Sequence, residues 1–97
     1  MEQEQLYSFL QMINRDARIG PVHIALYIAL LKCGHDQGTL TQIEISKSEL
    51  MQTAKICSLT TFYKTLNLLI HRGYIKYYAA LNRWETSKAN LADFANK

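Results

Sequence analysis

The chain has 97 residues, of which 48% are hydrophobic, and a formal net charge of +3. That length supports one hydrophobic core and leaves no room for a second domain. Two cysteines, Cys33 and Cys57, are too few for a disulfide framework, and the longest apolar run, Ile24 to Leu31, is far short of the roughly 18 residues of a spanning helix.

No signal-peptide pattern opens the sequence, so a reducing, cytoplasmic setting without membrane association is expected. The charge is unevenly divided. Residues 1–45 carry three Lys or Arg against five Asp or Glu, a balance of −2, whereas residues 46–97 carry eight against three, a balance of +5. A basic half beside a slightly acidic one suits either a solvated lysine-rich surface or a polyanion on one side of the molecule.

In chain order, Leu6, Leu10 and Ile13 keep helical spacing from Glu2 to about Asn14, and the opening acids complement a helix dipole. Pro21 suits the first turn of a second helix, expected to run to about Cys33 with Gly34 as its stop. Its apolar residues surround the axis, which calls for burial on more than one side, by the first helix or by another subunit. The segment Thr39 to Ser46 reads as a short strand. Ser46 and Glu49 have capping-box spacing and start a third helix, ending near Ile56.

Ser58 follows within a few residues and caps a fourth helix, closing a tight helix-turn-helix. This helix buries Phe62, Leu66 and Leu69, with Ile70 beside them, and stops at Gly73. Its other side holds Thr60, Thr61, Lys64 and Asn67, and no acid occurs from Ser58 to Tyr78. Exposed helices generally carry Glu and Lys for propensity and solubility, so an acid-free threonine, lysine and asparagine face suits phosphates and base edges. The segment from Tyr74 to Ala79 reads as a strand, Ala80 to Thr86 as a turn, and Ser87 to Leu91 as the returning strand.

The stretch SELMQTAKICSLTTFYKTLNLLIHRGYIKYY, followed by that hairpin, resembles the winged helix-turn-helix domains of bacterial transcription regulators. Ser58, Thr61 and Phe62 stand where that family's second motif helix starts, and Leu69 with Arg72 to Ile75 resembles its exit. Through HIALYIAL, ISKSELMQTAKI, TTFYK and GYIKY the chain looks most like the small single-domain members from Bacteroides-type bacteria and their mobile elements.

The resemblance implies a mainly α fold with a small β-hairpin in the order α-α-β-α-α-β-β, with residues 1–19 as an N-terminal helix and connection, 20–91 as the winged core and 92–97 as a tail. It also implies double-stranded DNA as partner. Ser58, Thr60, Thr61, Tyr63, Lys64 and Asn67 become the recognition face in the major groove, and Arg83, Ser87 and Lys88 the wing contacts. Cys57 stands where many relatives have glycine, and NRWETSK replaces a more usual proline and glycine in the wing.

Asn67 can bond an adenine edge, Lys64 a guanine or a phosphate, and Thr60 and Thr61 the phosphates at a helix start. Tyr63 suits the sugar-phosphate backbone or packing on the third helix. Arg83 suits a narrow minor groove, while Trp84 covers the hairpin base. The cysteines and His23, His35 and His71 lack zinc-ligand spacing, Cys57 reads as packing or a redox switch, and no cofactor is expected. No nucleophile, phosphate-loop or metal motif marks an enzyme. A homodimer through helices one and two is expected from the apolar second helix. The alternative reading is a protein-interaction adaptor docking through Tyr74, Tyr77, Tyr78 or Leu68, and a third is a ligand-responsive repressor with a pocket between helices one and two.

Overall fold

The computed structural model describes residues 2–80 and 86–91. Arg83, Trp84, most of the hairpin turn and the tail 92–97 lie outside the described residues. The element order is α1 (Glu2–Ile13), α2 (Pro21–Gln37), β1 (Ile43–Glu44), α3 (Lys47–Ala54), α4 (Leu59–His71), β2 (Ile75–Tyr78) and β3 (Lys88–Leu91). The fold is mainly helical, and its three strands form one antiparallel sheet in the order β1-β3-β2.

In α1 Leu6 and Ile13 are half-buried against the core, as their spacing predicts, but the deepest contact is made by Phe9. Its ring is fully buried and stacks on Tyr27, with centroids 3.7 Å apart, while Tyr74 meets it edge-on at 5.3 Å. Leu10 is exposed instead. A single large aromatic residue, inserted between α2 and the start of β2, gains more from burial than the aliphatic stripe beside it.

Helix α2 is one turn longer than its sequence suggests. Gly34 lies inside it and does not stop it, because the following loop folds back so closely that a Cβ there would sit 2.6 Å from the Thr39 carbonyl oxygen. The stop is Gly38, which takes the left-handed conformation at φ 76°. The apolar circumference of α2 is used within the chain: it packs on α1, α3, α4 and β1, leaving Ile28 as its exposed large hydrophobic residue.

The strand expected over residues 39–46 shrinks to Ile43 and Glu44. Thr39 Oγ1 accepts the Thr41 N–H at 3.0 Å and holds a turn there, and Gln42 is left-handed at φ 52°. These local features compete with a regular ladder, which begins at Ile43, although the Leu91 N–H already donates to the Leu40 carbonyl at 3.1 Å. Beyond the strand, Ile45 N–H donates to the Ser87 carbonyl at 2.9 Å. Gln37 closes the outer edge of β1, donating to the Glu44 carbonyl at 2.9 Å and accepting its N–H at 2.8 Å.

The serine caps of α3 and α4 are in place: Ser46 Oγ accepts the Glu49 N–H at 3.5 Å, and Ser58 Oγ the Thr61 N–H at 3.3 Å, but of the capping box expected at Ser46 and Glu49 only this half forms. Helix α3 ends at Ala54, two residues before the expected Ile56, because Lys55 takes a left-handed conformation at φ 62°. The Ile56 N–H then returns to the Met51 carbonyl, and Ile56 enters the core. The bend between α3 and α4 is thus made at Lys55, and Cys57 is simply exposed. Helix α4 buries Phe62, Thr65, Leu66 and Leu69 and exits through Gly73 at φ 82°. The hydroxyl of Thr65 is accommodated in the core by donating to the Thr61 carbonyl at 2.7 Å.

Candidate nucleic-acid interface

At 100° per residue, Phe62, Leu66 and Leu69 define the inner side of α4 and Thr60, Lys64, Asn67 and His71 its outer crest. All four crest residues are exposed. Thr61 and Tyr63 stand on opposite flanks. The six helix residues singled out in the sequence therefore separate into a cap, a crest and two shoulders.

Ser58 is the cap, its hydroxyl oxygen already accepting from Thr61. Thr61 and Lys64 face the start of α2, where they line a groove of about 400 Å³ with Val22, His23, Thr65 and Leu68. Tyr63 faces the other way. Its hydroxyl accepts from Lys47 Nζ at 3.2 Å, and the same ammonium lies 5.5 Å from the ring centroid, so both a hydrogen bond and a cation–π contact tie α4 to the start of α3.

Tyr63 and Lys47 also line a smaller groove of about 140 Å³ with Ile45, Phe62, Leu66, Tyr77 and Ser87. This groove brings a predicted helix contact, Tyr63, beside a predicted hairpin contact, Ser87. Ser87 Oγ accepts the Ala80 N–H at 3.2 Å across the hairpin, and Lys88 stands between Tyr78 and Glu44 in the sheet register. Thr86 Oγ1 donates to Glu44 Oε1 at 3.3 Å, which engages the acid next to Lys88. Arg83 lies outside the described residues.

A network centred on the buried Asp16 carboxylate, with Arg72 at its exposed rim, ties down the end of α4. Asp16, in the connection between α1 and α2, accepts from Arg72 Nε at 2.9 Å, from Tyr74 Oη at 2.9 Å and from the Arg18 N–H at 3.1 Å. The hydrogen bond from the Arg72 guanidinium holds the Asp16 carboxyl below its ordinary value of 3.8, with Tyr74 adding to the effect against the cost of burial. Burial, then the Asp16 carboxylate, push the Tyr74 hydroxyl up to about 12. The Tyr27 hydroxyl, raised to about 12 by burial, accepts from Gln5 Nε2 at 2.7 Å.

Three residues of this surface escape the sequence reading. His71 extends the crest one turn beyond Asn67, a position that helical spacing from Lys64 and Asn67 makes legible. Lys47 meets Tyr63 across sixteen residues, and no local pattern couples them. His23 joins Thr61 and Lys64 only because α2 starts beside α4. Among the tyrosines of the adaptor reading, Tyr74 is buried and Tyr77 half-buried, which leaves Tyr78 exposed at 52%. Among the described residues no helix is long and apolar enough to cross a membrane. Comparisons with protein-family models, curated proteins and solved structures find no match to the chain.

Proposed function

We propose that the chain is a winged helix-turn-helix protein that binds double-stranded DNA, with α4 in the major groove and the β2–β3 hairpin on the backbone or in the minor groove. It acts as a transcription regulator or a mobile-element accessory protein, by occlusion or recruitment of other factors and not by catalysis. The observation that carries the reading is the acid-free outer crest of α4, Thr60, Lys64 and Asn67, standing beside a hairpin that shares a groove with Tyr63. A solvated crest with no ligand needs no such composition, whereas base edges and phosphates use amide, hydroxyl and ammonium groups.

The division of labour follows from position. Asn67 and Lys64 read base edges or a phosphate, Thr60 and Thr61 bind phosphate at the helix start, and Ser87 and Lys88 position the hairpin. Fluorescence anisotropy of the full chain against a mixed-sequence duplex and its own upstream region, at several salt concentrations, tests the reading. Binding should weaken steeply with salt and be tighter on one duplex, and Lys64→Ala should lower the logarithmic salt slope by roughly 1. Absence of binding by folded protein at low salt overturns the reading and favours the adaptor, for which Tyr78, 52% exposed, and the half-exposed Leu68 are the apolar contacts left among those first singled out.

A further inference from the structure

The groove between the start of α2 and the shoulder of α4 is left unused by the DNA reading except at Thr61 and Lys64. It is an open surface groove of about 400 Å³, a volume within the range of small-molecule sites. Val22 and Leu68 give it apolar walls, and Leu68 lies off the buried stripe of α4, half-exposed. His23 is held in one orientation: its Nδ1 accepts the Gly20 N–H at 3.0 Å, so a neutral ring carries its proton on Nε2 and keeps that nitrogen as a donor. The Thr65 hydroxyl is committed to the Thr61 carbonyl. Lys64 supplies the positive charge.

The groove between α2 and α3 makes an instructive contrast. It too holds a lysine, Lys32, but Asp36 pairs with that ammonium at 2.7 Å and Glu49 lines the same space, so an incoming anion meets two carboxylates. The α2–α4 groove has no acid in its lining, and among the described residues no carboxylate pairs with Lys64. A cation and an imidazole donor over apolar walls fit a carboxylate carried on a compact apolar body.

We propose that this groove binds a small organic carboxylate, and that its occupation withdraws Lys64 from DNA. The site stands on the groove alone; its regulatory consequence rests on the DNA-binding reading. A bare phosphate would use Lys64 and His23 but leave Val22 and Leu68 uncovered, which is why the ligand class carries an apolar portion.

The test is a titration of the full chain, labelled for amide NMR spectra, with benzoate and with benzyl alcohol as its uncharged counterpart. Benzoate should give saturable shifts centred on Val22, His23, Lys64 and Leu68, and benzyl alcohol should bind about tenfold more weakly, the effect of one charge-assisted contact of roughly 1.4 kcal/mol. Lys64→Met should lose about the same factor while its unliganded spectrum keeps the dispersion of a folded chain. Equal binding of the two probes, shifts scattered over the surface, or no saturation would overturn the site.

Duplex binding measured with and without saturating benzoate tests the second half. Weaker DNA binding in benzoate, absent in Lys64→Met, supports competition, and unchanged DNA affinity overturns it. Benzoate binding by a chain that never binds DNA leaves the site standing and removes the DNA reading; DNA binding without benzoate binding does the reverse.

Discussion

The two ends and faces of helix α4 are treated differently by the rest of the chain. At its exit, Arg72 and Tyr74 converge on Asp16, and the polar groups there are met by protein. Along its outer crest, Thr60, Lys64 and Asn67 are turned to solvent. Buried polar groups are retained where they fix geometry, and this network holds the C-terminal end of α4 against the connection between α1 and α2. Exposed polar groups on an otherwise acid-free crest add little to stability, and in the proposed reading they are the groups that meet DNA. Under that proposal, stability and recognition are separated by side on one thirteen-residue helix.

The largest break in that comparison is on the inner side. Leu69 is fully buried, and Leu69→Ala should cost about 2–5 kcal/mol through lost transfer energy and the cavity left behind. Urea unfolding followed by circular dichroism checks it, with the midpoint falling and the slope unchanged. A loss well under 1 kcal/mol would mean that α4 packs less tightly than its buried stripe requires.

The exit network should show itself through pH. The folded-state value of Asp16 is lowered, so its contribution is fully present above its ordinary value of 3.8 and drains away as pH falls through the lowered folded value. Asp16→Asn should therefore be less stable than the parent at neutral pH, with the gap narrowing as both are taken below about pH 4. Chemical unfolding across that range decides it. A gap independent of pH would assign the effect to packing of the amide and not to the carboxylate.

On the crest the expectation reverses. Asn67→Ala should change stability by no more than about 0.5 kcal/mol. On the preferred duplex it should cost roughly 1–3 kcal/mol of affinity, with little change on a mixed-sequence one. Anisotropy on the two duplexes, beside the same unfolding measurement, separates the two faces of the helix directly. An equal loss on both duplexes would move Asn67 from base reading to backbone contact.

How far the sequence reaches depends on whether a feature is local. Caps are local: Ser46 and Ser58 announce the starts of α3 and α4 through neighbours three residues away. The buried stripe of α4 is local as well, because Phe62, Leu66 and Leu69 repeat at helical spacing. Gly34 misleads because glycine answers two needs, left-handed backbone and close approach, and the second depends on where Thr39 returns. Asp16 with Arg72 and Tyr74, Lys47 with Tyr63, and His23 with Lys64 are joined by tertiary packing across long separations, and no residue pattern within either segment announces the other. The candidate crest was therefore legible, while its supports and its neighbouring groove were not.

The smallest expected effect concerns the bend that sets α4 against α3. A lysine at φ 62° brings its Cβ against the backbone, a cost of about 1 kcal/mol that glycine escapes. Glycine also loses more chain entropy on folding, which offsets part of the gain. Lys55→Gly should accordingly stabilise the fold by a few tenths of a kcal/mol and at most about 1 kcal/mol, seen as a higher urea midpoint at constant slope. Lys55→Val should go the other way, since a β-branched residue is poorly tolerated in that region. If glycine destabilises while valine is neutral, the turn does not bend at Lys55, and Cys57, the position where a glycine is usual in the resembling family, becomes the place to look.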